Sequence, residues 1–137
     1  MFKIMLFPAA FLLACAAVAA PPQIYRDGSG RLTGTSVQQG SRTVYRDASG
    51  RIQGSATQSG NRVIYRDGSG RLVGTAQKQG SRTVYRDASG RIQGSATPSG
   101  NRVIYRNGSG MLTGTGQKSG SGTVYRDASG RIVLRKQ

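Results

Sequence analysis

The sequence has no histidine, no glutamate and no tryptophan, and its one cysteine is Cys15. These absences remove most of what an enzyme works with. A serine nucleophile needs a neighbouring base, and only lysines at variable positions are on offer. Every one of the five aspartates is the turn residue of a repeat, and single carboxylates spaced at least twenty residues apart do not converge on a metal ion. The chain is therefore expected to be non-enzymatic, with no cofactor, no metal and no small-molecule substrate. Glycine-rich strings such as Gly28-Ser29-Gly30 lack the Gly-Lys-Ser/Thr that a phosphate loop requires and are read as turns.

Negative charge is equally scarce, with five acids against twenty Lys and Arg, a net charge of +15. Such a surplus draws polyanions: nucleic acid, acidic polysaccharide, lipopolysaccharide or an anionic membrane. The plainer reading is charge that keeps a repetitive β-protein in solution.

Residues 1–19 differ in kind from the rest. Lys3 is followed by an apolar run from Ile4 to Leu13 and an alanine-rich stretch to Ala20, the layout of a secretory signal and too short for a spanning helix. Ala17-Val18-Ala19 places the expected cut after Ala19. The competing site, Leu12-Leu13-Ala14-Cys15, resembles a lipobox and would lipidate Cys15. The product is expected in the periplasm, at the cell surface or outside the cell, or else lipid-anchored through Cys15. Loss of Lys3 leaves nineteen cations against five acids, +14.

Residues 20–137 form one repeat domain. Tyr25, Tyr45, Tyr65, Tyr85, Tyr105 and Tyr125 recur every twenty residues, each opening Tyr-Arg-Asp/Asn-Gly/Ala-Ser-Gly-Arg/Met-Leu/Ile. A forty-residue superperiod is also present, since 45–64 and 85–104 differ only where Gln58 becomes Pro98. Arg42 to Asp47 is rich in β-branched and aromatic residues, Asp47-Ala48-Ser49-Gly50 is turn chemistry, and Arg51 to Thr57 resumes an extended pattern before a second turn at Gln58-Ser59-Gly60. Asp opening a type I turn with a left-handed Gly three positions on marks a three-residue hairpin loop. The expected fold is all-β: an antiparallel meander of six tandem hairpins of about 20 residues, lying open as a single-layer sheet or curled and rolled. Glycine in every hairpin and two otherwise unpaired edges favour the rolled form.

That turn implies a register in which Asp47 faces Arg51, Arg46 faces Ile52, Tyr45 faces Gln53 and Val44 faces Gly54. With a second turn of the same geometry, Arg51 would meet Asp67, Gln53 would meet Tyr65 and Gly54 would meet Ile64. One sheet face then carries the tyrosines and a ladder of Asp27, Arg31, Asp47, Arg51, Asp67, Arg71, Asp87, Arg91, Asp127 and Arg131. In the fifth copy Asn107 and Met111 replace both partners together, as cross-strand pairing predicts. The other face carries Val44, Gly54 and Ile64 between rows of arginine: Arg26, Arg46, Arg66, Arg86, Arg106 and Arg126 on one side, Arg42, Arg62, Arg82 and Arg102 on the other. Because the five aspartates are matched by five ladder arginines, ten of the fourteen surplus charges fall on this face; Lys78, Lys118, Arg135 and Lys136 make up the rest. The ten arginines are the expected polyanion site. Successive tyrosines, roughly 9–10 Å apart by strand spacing, are too far apart to share stacked bases and are read as packing residues.

The string from Tyr45 to Ile52 is similar to the YD repeats of RHS-type proteins, whose units read roughly Tyr-Asp-x-x-Gly-Arg-Leu/Ile. Here Arg46 and its equivalents separate the Tyr from the Asp. The resemblance covers nearly all of residues 20–137 and implies hairpin roles for Tyr45, Asp47, Gly50, Arg51 and Ile52. In that family the repeats wind into β-meander shells and carbohydrate binding has been suggested; six units are too few for a shell. In outline the chain also resembles short exported bacterial repeat proteins. Two functional classes follow: a module binding anionic envelope polymers through its arginine face, or a structural protein that assembles with copies of itself.

Overall fold

The structure, a computed structural model, describes residues 21–137; the expected signal peptide, both cleavage sites and Cys15 lie outside the described residues. Twelve strands follow one another: β1 (Gln23–Asp27), β2 (Leu32–Gln39), β3 (Arg42–Asp47), β4 (Ile52–Ser59), β5 (Arg62–Asp67), β6 (Leu72–Gln79), β7 (Arg82–Asp87), β8 (Ile92–Ser99), β9 (Arg102–Asn107), β10 (Leu112–Ser119), β11 (Gly122–Asp127) and β12 (Ile132–Lys136). Each pairs antiparallel with its neighbours in the chain, and β1 pairs with β12, so the meander closes into a barrel.

Two loops alternate, and each follows from its residues. At the first, the Gly50 amide donates to the Asp47 carbonyl at 3.0 Å and the Asp47 amide to the Arg51 carbonyl at 2.9 Å. Gly50 sits at φ 82°, a left-handed conformation that a side chain would oppose. This is the three-residue loop expected from the sequence. The second loop is shorter: Ser59 pairs directly with Arg62 across Gly60 and Asn61, with Gly60 at φ 60°, as a primed two-residue hairpin requires.

Between the loops the register departs from expectation. Arg46 faces Ile52 as read, but then Tyr45 faces Gly54, Val44 faces Ser55 and Arg42 faces Thr57, because a bulge at Gln53 adds one residue to β4. Across the two-residue loop Gly54 meets Asp67, Ala56 meets Tyr65 and Thr57 meets Ile64. Arg51 therefore does not pair with Asp67, and Gly54 belongs to the tyrosine face rather than the valine face. Five hairpins have glycine at this point and the sixth has Leu134. At four of the five the glycine is a steric demand: a Cβ on Gly34, Gly74, Gly94 or Gly114 would lie against the carbonyl of an arginine in the next strand, Arg46 in the case of Gly34.

The open single-layer alternative is excluded by closure. Tyr25 faces Lys136, Arg26 faces Arg135 and Asp27 faces Leu134, and Ile24 and Gln137 exchange backbone hydrogen bonds of 3.0 and 2.9 Å. The cause is cumulative. Strand twist, sharpened by one bulge per hairpin, bends the sheet until its edges meet and satisfy each other.

The tyrosine face is the concave one. A twelve-strand ring is wide enough to leave a lumen, roughly 11 Å in backbone radius for ordinary strand tilt, and the tyrosines project into it. Tyr25, Tyr45, Tyr65 and Tyr125 are buried together with Ala56, Ala76 and Leu134, and Tyr85 and Tyr105 pack against them. Small partners opposite the rings make room. The rings converge as they leave the wall, so Tyr105 and Tyr125 stand 6.4 Å apart between ring centres, tilted by 47°, closer than their strands. The Tyr25 hydroxyl lies 3.0 Å from the hydroxyl of Ser36, a residue of the neighbouring strand β2.

Candidate anion-binding surface

In a strand without a bulge, alternate residues share a face. Residues 42, 44 and 46 of β3 therefore point outward when Tyr45 points in, and the same parity holds in β5, β7 and β9 and places Arg26 of β1 and Arg126 of β11 outward beside Tyr25 and Tyr125. All ten candidate arginines accordingly lie on the outer wall. They do not form one flat face, because closure bends it around the whole circumference. Arg26, Arg46, Arg66, Arg86, Arg106 and Arg126 ring the end that carries the three-residue loops. Arg42, Arg62, Arg82 and Arg102 form an interrupted ring at the other end, where Gly122 stands in the fifth-loop position.

The first ring is held in place. Each arginine donates from Nη1 to the carbonyl of the glycine four residues on, at 3.1 Å for Arg26 to Gly30, 2.9 Å for Arg46 to Gly50 and 3.0 Å for Arg106 to Gly110. Arg66, Arg86 and Arg126 repeat the contact at 2.9 Å. One donor of five is used, and the guanidinium leans over its own loop with the others available to an oxyanion. In the second ring Arg82 donates from Nη2 to Ser95 Oγ at 3.1 Å, while Arg42, Arg62 and Arg102 are exposed on the wall.

The carboxylates are engaged elsewhere. Asp47 Oδ1 accepts the amides of Ser49 at 2.8 Å and Arg51 at 2.9 Å, and its Oδ2 accepts Gln53 Nε2 at 3.1 Å. The same two amide bonds recur at Asp27, Asp67, Asp87 and Asp127. The Arg51 amide is the first cause, and the Arg51 charge the last, of an Asp47 carboxyl held below its usual range; Asp87 behaves alike with Arg91. At Asp27 the Ser29 hydroxyl, 2.6 Å away, contributes most. Asp and Arg of the ladder thus meet within each hairpin through the backbone of the arginine, and between hairpins the bulge separates them.

Two further features were not read from the sequence. The Arg-to-glycine-carbonyl bond is signalled only by an Arg four residues before a left-handed Gly. Lys136 occupies the inward position that Ala56 holds, opposite Tyr25 and Thr123, and burial pushes its amine down. The outer wall also exposes aliphatic side chains beside the first ring, among them Leu32, Ile52, Leu72, Ile92 and Leu112.

No protein-family model matches the chain, and no curated protein matches it. Among solved structures the barrel is similar to the X-ray structure of a protein from Arabidopsis thaliana, with a TM-score of 0.58 over 88% of this chain and 86% of that one. At 14% identity the likeness concerns the fold alone.

Proposed function

We propose that the chain is an exported, non-enzymatic barrel that holds anionic envelope polymers, whether polysaccharide, lipopolysaccharide or nucleic acid, on its outer wall. The observation that carries the reading is a division of charge. Carboxylates are engaged by the amides of their own loops, whereas two rings of arginine stand on the exposed wall. A guanidinium with one donor committed keeps a fixed heading and still offers paired donors to a phosphate or carboxylate. A flexible polyanion follows such a curved wall by meeting arginines roughly 9–10 Å apart, two strand widths, without reading sequence or sugar identity. The second reading, a self-assembling envelope protein, rests on the exposed aliphatic side chains, since closure offers no strand edge for assembly.

Because the first-ring arginines also brace their loops, the cleaner test is the second ring. Replacing Arg42, Arg62 and Arg102 with Gln should leave the thermal midpoint unchanged, weaken heparin binding and flatten its salt dependence by about one unit of slope for each arginine replaced. A folded variant with native affinity and native slope would refute the outer-wall site. Association that persists at high salt would favour self-assembly.

A further inference from the structure

The fifth hairpin departs from the others at its tip, in a way the fold does not require. Asn107 Oδ1 accepts the amides of Ser109 and Met111, both at 3.0 Å. The Gly110 amide reaches the Asn107 carbonyl at 3.0 Å with Gly110 at φ 85°, and Arg106 still reaches Gly110. In the fourth hairpin Asp87 makes the same two bonds at 2.8 and 2.9 Å, with Gly90 at φ 85°. Exchanging Asp for Asn and Arg for Met thus leaves the loop intact and changes only what it presents to its surroundings.

What it presents is apolar and cationic together. Met111 is 66% exposed, the most of any large apolar side chain among the described residues, and Leu112 beside it is 43% exposed. The other tips carry two arginines and one carboxylate; this tip carries Arg106 alone. Its net charge is the same, but it has no carboxylate to dehydrate on entering a less polar phase. On the flanking hairpins, about 9–10 Å away by strand spacing, Ile92 is 47% exposed and Arg86 and Arg126 lean over their own loops.

We infer that this tip is where the barrel docks on an anionic lipid surface, with Met111 and Leu112 entering the boundary between headgroups and acyl chains while Arg86, Arg106 and Arg126 meet lipid phosphates. The inference rests on the proposed polyanion-binding role of the outer wall and names its anion as a lipid headgroup. Charge complementarity selects this occupant over a second copy, which would bring like-charged rings together. Spanning is excluded by length. Strands of five to eight residues, with arginine near both ends of β3, β5, β7 and β9 on the outer wall, are shorter than the nine to eleven apolar-faced residues a crossing strand needs.

The chain has no tryptophan, so Met111→Trp supplies a single emission reporter at the tip. Vesicles of phosphatidylcholine containing phosphatidylglycerol should shift its emission to the blue; phosphatidylcholine alone, or heparin, should not. Asn107→Asp combined with Met111→Arg restores the loop of the other copies and should lower co-flotation with the anionic vesicles about tenfold while leaving heparin retention and the thermal midpoint unchanged. Native-like flotation of that double variant, or flotation of the Trp variant without an emission shift, would overturn the docking point. Retention on heparin with no vesicle binding would sink this inference alone. Failure to bind either would sink the polyanion reading beneath it.

Discussion

Along β3, Thr43, Tyr45 and Asp47 face into the barrel while Arg42, Val44 and Arg46 face out, and the two sets answer to different constraints. The inner set must fit a closed volume shared with eleven other strands, so a tyrosine in every copy is matched by alanine or glycine across from it. The outer set has no such limit. There Ser55 lies buried beneath neighbouring side chains while Ile52, nearby on the same strand, is half exposed. Near-identical repeats therefore serve shape on one wall and charge on the other, and the walls should respond separately when disturbed.

The largest separation is expected in pH. Burial raises the phenol pKa of all six tyrosines above the ordinary 10.0. An unfolded chain releases those protons near pH 10 and the barrel retains them, so their contribution is complete below pH 10 and is lost as pH rises beyond it. The loops behave in the opposite sense. Asp27, Asp47 and Asp87 have lowered pKa values, so their contribution is complete above about pH 4 and is lost as pH falls below it; with their carboxylates open to water at the barrel's end, they should matter far less. Urea titrations at pH 3, 7 and 11 compare the limbs, and equal stability at pH 7 and 11 would mean that the phenols are not sequestered.

Next in size is truncation on either wall. Tyr45→Ala should cost about 4 kcal/mol, the usual range for emptying a large aromatic site, and Ile52→Ala less than about 1 kcal/mol, since its side chain is already half in water. Similar losses from both, measured by denaturant midpoint, would erase the distinction between the walls. The smallest expected contrast lies in glycine. Gly34→Ala drives a Cβ against the backbone carbonyl of Arg46 and should cost about 2–3 kcal/mol. Gly60→Ala meets nothing and suffers only its left-handed φ, at about 1 kcal/mol. Comparable melting temperatures for the two variants would deny the close approach at the bulge.

The parts of this fold that were legible in the sequence are those set within a few residues. Asp47 to Gly50 specifies its loop through its own side chain and one left-handed glycine, and β3, which has no bulge, shows by simple alternation that Arg42 and Arg46 oppose Tyr45. The bulge at Gln53 was not legible. Gln53 carries no mark of it, and the glycine that follows the bulge, as at Gly34 and Gly74, is required by the carbonyl of a neighbouring strand rather than by its own dihedral. Reading the second loop as a copy of the first compounded the error, although Gly60-Asn61 is itself a primed two-residue signal. Closure depends on twist summed over twelve strands, which no single repeat contains. For the candidate surface, the positions of the arginines followed from parity; their bonds to glycine carbonyls did not, because those depend on how the bulged strand carries the loop back beneath the guanidinium.

One pairing in this barrel is unlike the rest. Every strand but the first and last meets only neighbours in the chain, across loops of two to four residues, whereas β1 meets β12 across the whole domain. A chain of such similar copies has slipped pairings open to it, offset by one unit or by two, that satisfy each local hairpin almost as well. A slipped chain shortens the meander and leaves a unit over, so Tyr25 does not reach Lys136 and the tyrosines lack their full circle. The long-range seam is thus the register check on the assembly: it closes when all six units are counted in, and the entropy of joining the distant ends is lost once, at that step.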